Sequence, residues 1–176
     1  MVSLLEANSA RLRELHDAIH QSFRARGESA EANMQWRDAC ARFHDEYDAL
    51  AFPGGLTYGL ARLRALDPEA IETAVHFLEV DPYFFRSGYI KADLLRHLKR
   101  APLTKSQAQR LRNVILARLS GPDRRELRGY CRLAARLVTR EFHMQLRAMA
   151  ASSDARVARH ARWAVVAVDS LPASAT

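Results

Sequence analysis

Helix-start signals recur at nearly constant intervals in the second part of the chain, and this regularity is what most constrains the fold. Predicted helices begin near positions 68, 104 and 139, at intervals of 36 and 35 residues. Their starts carry proline at the first helical position, or Asp or Thr at the cap, which are residues that begin helices. Intervals of this length are typical of repeats built from two helices. The sequence therefore predicts an all-α chain with stacked helical hairpins.

The first part of the chain predicts a separate element, an N-terminal helical hairpin over residues 1–55. A capping box that begins at Ser3 precedes the first apolar row, and Ser29 begins a second helix that ends at the turn PGG. Glycine and proline number only 7 and 6, which disfavours an all-β or disordered chain. We expect one all-helical domain over residues 1–176.

The remaining helices follow from the same start chemistry. The last residues, LPASAT, are predicted to be a frayed end. The predicted helices cover about 56–65, 68–80, 82–99 and 104–119, then run from Pro122 through an arginine-rich segment, from Thr139, and from Asp154 to about Asp169.

The second helices of the predicted pairs resemble one another. SGYIKADLLRHL (87–98) and RGYCRLAARLV (128–138) share a Gly-Tyr pair, and an apolar residue followed by a base recurs in both regions. In the last helix Asp154 precedes Val157 by three residues, and Ala161 follows four residues later. This pattern resembles the second helix of HEAT repeats, in which Asp-x-x-Val-Arg-x-x-Ala recurs.

The resemblance covers about residues 67–170 and implies three HEAT-like helix pairs. A single hairpin cannot bury its own apolar face, whereas stacked neighbours share a continuous core. In HEAT-like arrays the second helices line the concave side. The resemblance therefore implies a short antiparallel solenoid, preceded by the N-terminal hairpin, with a long surface of second helices.

Charge is distributed unevenly along the chain. Residues 1–80 hold 8 Arg and 13 Asp or Glu, a net charge of −5. Residues 81–176 hold 19 Lys or Arg and 7 Asp or Glu, a net charge of +12. This asymmetry points to an acidic partner for the second half. The alternative is that acids of the first half neutralise these bases within the fold.

Four arginines of the segment 121–140 fall into one row of a helix, if the helix begins at Pro122 as predicted. Like charges one turn apart cost roughly 0.2–0.5 kcal/mol per pair. No acid on the row's own face relieves them, so neighbouring helices, solvent or a ligand must do so. The four arginines are Arg125, Arg128, Arg132 and Arg136.

The last helix carries a second basic set, Arg156, Arg159 and Arg162. Arginine forks bind carboxylates and phosphates equally well. Three interpretations of both sets therefore stay open: a solvated or internally paired surface, an acidic protein partner, and nucleic acid.

The segment PYFFRSGY (82–89) places four aromatic residues at a predicted helix start. We expect them to pack at a joint between repeats. The alternative is that Tyr83 and Phe84 are exposed anchors for a partner. The sequence shows no exposed aromatic residues interleaved with the bases, as single-strand binding would use, and no groove-reading motif.

The N-terminal hairpin offers the one candidate metal set, His16 and His20 on the first helix with His44 and Asp48 on the second. Histidines four residues apart face the same way, and two such pairs could enclose a metal ion. All four residues lie at the edges of their apolar faces, however, and no Glu-x-x-His pattern accompanies them. We therefore expect ordinary edge residues, with no metal and no cofactor.

Catalytic motifs are absent from the sequence. It has no glycine-rich phosphate loop and no nucleophile elbow, and its two cysteines, Cys40 and Cys131, match no zinc spacing and are expected to be reduced core residues. A HEAT-like DNA-repair glycosylase would need an acid and a tryptophan facing a basic groove. Trp163 with Asp169 or Asp93 could supply them, but no spacing singles this set out. We predict that the protein is not an enzyme.

These observations predict a non-enzymatic interaction module, such as a small adaptor or inhibitor. Its arginine-rich second-helix face is predicted to bind an acidic macromolecule, and we expect this macromolecule to be a protein. The alternative is a helical-repeat protein that binds nucleic acid without sequence preference. No apolar stretch is long enough to span a bilayer, and the N-terminus lacks a secretory layout. The expected location is therefore cytoplasmic, without a membrane partner.

Overall fold

Helices make up all the regular structure of the described part of the chain. The computed structural model describes residues 3–170, which contain nine helices and no strand, so the all-α prediction is confirmed. Within this range no helix is long and apolar enough to cross a membrane. The predicted frayed end, LPASAT, lies outside the described residues. The helices are α1 (Leu4–Phe23), α2 (Ala30–Ala51), α3 (Leu56–Arg64), α4 (Pro68–Val80), α5 (Ser87–Leu98), α6 (Lys105–Leu119), α7 (Leu127–Arg136), α8 (Arg140–Ala150) and α9 (Ala155–Asp169).

Most helices begin where the sequence predicted. Ser3 and Thr104 form the two capping boxes, each with the side chain of the residue three positions later. Because caps of this kind need only residues close in sequence, the pattern alone locates them. The other predicted N-cap side chains also accept a backbone N–H of the first turn: Ser29, Asp67, Thr139 and Asp154.

The predicted helix start at Pro82 is wrong, because α5 begins five residues later at Ser87. Asp81 ends α4 in the left-handed conformation, with φ 53°. The chain then turns back on itself, and the Ser87 amide donates to the carbonyl of Phe84 at 3.0 Å. This turn buries the Phe84 side chain, which is only 6% exposed.

The predicted start of the arginine helix at Pro122 is also wrong, because α7 begins at Leu127. The carboxylate of Asp123 accepts hydrogen bonds from His160 at 2.5 Å and from Arg159 at 2.8 Å. These bonds to α9 hold the preceding segment outside the helix. Arg125 therefore lies in the turn before α7 and is not the first member of a helical row.

Helix packing combines neighbours in sequence with more distant pairs. The first helices pack in chain order, α1 on α2, α2 on α3 and α3 on α4, and α1 also contacts α4. Further along, α4 packs on α6, α5 on α7, α7 on α9, and α8 on α9. One cluster of buried apolar side chains extends from Leu5 in α1 to Val168 in α9. The N-terminal hairpin therefore shares its core with the rest of the described chain.

A buried charge cluster at Asp81 ties this core together. The Asp81 carboxylate contacts the Lys91 ammonium and the guanidinium of Arg118, and Arg124 lies 2.7 Å from it. Lys91 is only 1% exposed, and burial lowers the pKa of its ammonium while Asp81 acts in the opposite direction. The cluster joins the end of α4 to α5, to α6 and to the turn before α7. It therefore helps to fix the position of the arginine-bearing helix.

Candidate functional site

The exposed side of α7 carries three arginines, Arg128, Arg132 and Arg136, which we call the arginine face. None of them has a carboxylate oxygen of residues 3–170 within 4.0 Å. Arg125, in the preceding turn, likewise has no carboxylate from this range so close. Within the described chain, acids of the first half therefore do not neutralise this face.

The opposite side of α7 explains why the arginines point outward. Its apolar residues are buried between α5 and α9, and Gly129 lets α5 approach closely. A Cβ at Gly129 would lie 2.9 Å from Cδ1 of Leu95. The burial of Leu127, Tyr130, Cys131, Leu133 and Ala134 fixes the rotation of the helix.

The basic set on α9 is divided in its contacts. Arg159 pairs with Asp123 at 2.8 Å, and Arg156 lies 3.6 Å from Asp154. Arg162 is exposed and has no ion pair with residues 3–170. All three arginines were predicted to bind a partner. Only Arg162 has no carboxylate of the described chain within 4.0 Å.

A groove of about 330 Å³ lies between α7 and α9. Arg128 and Arg132 line one side, and Trp163 and Val166 line the other, the latter 63% exposed. Cys131 also lines the groove, and burial raises the pKa of its thiol to about 11, so the thiol stays protonated at neutral pH. The groove thus offers positive charge beside an exposed apolar surface.

Of the four aromatic residues of segment 82–89, only Phe84 is packed as expected, so the alternative of an exposed anchor holds for Tyr83 and not for Phe84. Tyr83 is 68% exposed, and Phe85 and Tyr89 are also exposed, whereas Phe84 is buried and is not available as an anchor. One exposed ring does lie beside a base, since the guanidinium of Arg125 lies 3.8 Å from the ring centroid of Tyr89.

The candidate metal residues do not form a metal site. Within residues 3–170 no group of three or more His, Cys, Asp or Glu side chains is close enough to hold a metal ion. His16 and His20 lie with ring centroids 4.5 Å apart, and His16 stacks on Phe85. Asp48, in α2, instead accepts the backbone N–H of Thr57 at 2.9 Å, in the first turn of α3.

The acids considered for a glycosylase-like site are occupied by neighbouring bases. Asp169 lies 3.0 Å from His143 and 3.2 Å from Arg147. Asp93 pairs with Arg96 at 2.7 Å. Trp163 faces the groove described above.

A fully buried histidine, His160, was missed by the sequence analysis. Its Nδ1 lies 3.0 Å from the carbonyl oxygen of Leu119, and its Nε2 lies 2.5 Å from Asp123. Both partners can only accept, so both contacts are hydrogen bonds when the imidazole is protonated. Asp123 lies 37 residues away in the sequence, so no local pattern identifies this pair.

This contact predicts a pH dependence. Hydrogen bonds from His160 and then from Arg159 hold the pKa of Asp123 below its ordinary value of 3.8. A carboxylate with a lowered folded-state pKa stabilises the fold above its unfolded pKa, and that stability is lost as pH falls through the folded pKa. We therefore expect Asp123→Asn to lower Tm near neutral pH, and the difference to shrink in acid. Thermal unfolding of both proteins across this range measures it, and a constant difference would contradict the assignment.

We found no match to the chain among protein-family models, curated proteins or solved structures.

Proposed function

We propose that the protein is a non-enzymatic interaction module that binds an acidic protein through the arginine face and the adjoining groove. The observation that carries this proposal is the position of Arg128 and Arg132 beside the exposed side chains of Trp163 and Val166. Three arginines one turn apart repel each other when no carboxylate is near, and an acidic partner would remove that cost. Arginine forks bind carboxylates with two parallel hydrogen bonds.

The apolar part of the groove favours a protein over a phosphate backbone. Tryptophan and arginine dominate the binding energy of many protein interfaces, where they sit in pockets closed by apolar neighbours. Val166 adds apolar surface that a phosphate backbone would leave exposed. A partner segment with acids flanking an apolar side chain would therefore satisfy both sides of the groove.

The proposal includes the finer architecture expected from the sequence. Helices α4–α9 would form three HEAT-like pairs, in which α5, α7 and α9 are the second helices. The packing of α4 on α6, of α5 on α7 and of α7 on α9 supports this arrangement. The arginine face would then lie in the middle of the second-helix surface, with α5 and α9 on its two sides.

The test is fluorescence anisotropy with a labelled peptide rich in glutamate and leucine, beside a version with leucine replaced by serine. We expect the wild-type protein to bind the first peptide more tightly. Replacing Arg128, Arg132 and Arg136 together by Ala should weaken binding at least tenfold, about 1.4 kcal/mol. A matched variant replaces Arg24, Arg37 and Arg64, which are also exposed, and removes the same charge elsewhere. Equal losses in both variants would overturn the assignment to the arginine face.

The second candidate is nucleic-acid binding without sequence preference. It is favoured by the regular spacing of the arginine face, because successive bases along one helix can contact successive phosphates. Labelled random single-stranded and duplex oligonucleotides distinguish it in the same assay. Nucleic acid would be the better-supported ligand of the arginine face if three results hold. The oligonucleotide binds at physiological salt, it binds the triple variant more weakly, and it displaces the acidic peptide.

A further inference from the structure

A second surface, separate from the groove, combines arginines with exposed aromatic rings. It is an open cleft of about 530 Å³ between α1, the turn 82–86 and the segment before α7. We call it the aromatic cleft, and it is lined by Arg13, Arg86 and Arg125 and by Tyr83, Phe85 and Tyr89. Its volume lies in the range of small-molecule sites, about 300–1,000 Å³.

The aromatic wall of the cleft is held in place by contacts behind it. His16 stacks on Phe85 with ring centroids 4.5 Å apart, and the hydroxyl of Tyr47 donates to the Phe85 carbonyl at 3.2 Å. The Ser9 hydroxyl donates to the carbonyl of Tyr83 at 3.0 Å. A wall fixed in this way loses little conformational freedom when a ligand binds. Exposed rings on a fixed wall are stacking surfaces.

Within the described residues, no ion pair balances the positive charge of the cleft. Arg13, Arg86 and Arg125 have no carboxylate oxygen of residues 3–170 within 4.0 Å, although Asp17 also lines the cleft. The N-terminus of α5 faces the same space and has no side-chain cap. The buried carboxylate of Glu126 lies beside Gly88 in its first turn, so the positive charge of the cleft comes from the arginines.

Backbone strain adds an independent observation. Arg86 has φ 68°, a left-handed conformation that is unfavourable for a side chain of this type. It places the guanidinium 5.7 Å from the centroid of Phe85 and 5.9 Å from that of Tyr89. Strain of this kind persists only where the surrounding structure enforces it, and it is common at binding sites.

From these features we infer that the aromatic cleft binds a nucleoside phosphate. The base would stack on the exposed rings, and the phosphate would be bound by the arginine forks. A simple anion would leave the rings unused, and a neutral aromatic ligand would leave the arginines unused. Two sources carry this chemistry, a free mononucleotide and the terminal nucleotide of a single strand. The inference goes beyond the proposed function, because it concerns other residues and another ligand.

Calorimetric titration of the full chain tests the inference, with adenosine 5′-monophosphate, adenosine, inorganic phosphate and a short single-stranded oligonucleotide as probes. We expect the monophosphate to bind about tenfold more tightly than adenosine or phosphate alone. An oligonucleotide with a terminal phosphate that binds the arginine-face triple variant more tightly than the monophosphate does identifies a strand end as the source. Equal affinity identifies the free nucleotide.

Variants assign the binding to the cleft. Tyr89→Leu and Arg86→Asn should each weaken binding of the monophosphate about tenfold. Asparagine is chosen at position 86 because it tolerates a positive φ. Tyr58→Leu is the matched control, since Tyr58 is also exposed and lies near Arg62. The arginine-face triple variant should bind the monophosphate normally, so failure of the proposed function and failure of this inference are distinguishable. The inference is overturned if neither the monophosphate nor the oligonucleotide binds, or if Tyr58→Leu weakens binding of the monophosphate as much as Tyr89→Leu does. It is also overturned if Tyr89 proves to bind the acidic peptide and not the monophosphate.

Discussion

Replacing Asp81 by asparagine is expected to destabilise the protein by roughly 3–5 kcal/mol, as for other buried ion pairs that lose one partner. The change removes the carboxylate that contacts Lys91, Arg118 and Arg124. Lys91 is affected most, because its side chain is 1% exposed and would lose its ion-pair partner. Asparagine is the suitable replacement because it accepts the left-handed conformation of Asp81.

The destabilisation should depend on pH. A lysine whose folded-state pKa lies below its unfolded value binds fewer protons when folded, so the free energy of unfolding rises with pH as it loses its proton. Burial already lowers the pKa of Lys91, and removal of Asp81 takes away the larger of the two influences that raise it and leaves only that of Glu126. We therefore expect the loss caused by Asp81→Asn to be largest near neutral pH and to shrink as pH rises and the Lys91 ammonium of the variant loses its proton.

Urea unfolding of the wild type and variants measures this effect. Asp93→Asn is the control, because Asp93 pairs with the exposed Arg96 and such pairs contribute about 0–1 kcal/mol. Lys91→Met in the Asp81→Asn background should recover part of the lost stability, since it removes the uncompensated charge. Equal effects of Asp81→Asn and Asp93→Asn would show that the buried cluster does not stabilise the fold.

The contacts of Asp81 and Asp123 explain which parts of the fold could be predicted from the sequence. The capping boxes at Ser3 and Thr104 were predicted because all their atoms come from neighbouring residues. The turns before α5 and α7 were not predicted, because Asp81 and Asp123 form ion pairs with residues far away in the sequence. Proline at positions 82 and 122 matches a helix start locally, and the distant contacts override it.

The candidate sites divide in the same way. The arginine face follows from helical periodicity, so Arg128, Arg132 and Arg136 could be placed together from the sequence. The aromatic cleft could not, because it brings Arg13 of α1 to Arg125 across the turn that holds Phe85. Which of two adjacent phenylalanines is buried depends on the geometry of that turn and not on any repeat. Burial of Phe84 and exposure of Phe85 therefore needed the structure.

Replacing Gly59 by alanine is expected to destabilise the protein by about 2 kcal/mol. On an open helix this change would gain about 1 kcal/mol, since alanine is the better helix former. In α3, however, the new Cβ would lie 2.6 Å from Cε1 of Phe52. The Phe52 ring is buried against Phe77, with centroids 5.4 Å apart, and overpacking in such a place costs about 1–3 kcal/mol or more.

A double-mutant cycle with Phe52→Leu identifies the cause, because a smaller side chain leaves room for the new methyl group. Gly59→Ala should cost much less in the Phe52→Leu background than in the wild type, as measured by urea unfolding. The matched control is Gly27→Ala, since no heavy atom that the structure describes, apart from the adjoining residues, lies within 4 Å of a Cβ at that position. If the cost of Gly59→Ala is the same in both backgrounds, the contact with Phe52 is not its source. The test bears on function as well, because Phe52 and Phe77 join the N-terminal hairpin to α4. This joint helps to hold α1, and with it Arg13 and His16, against the aromatic cleft.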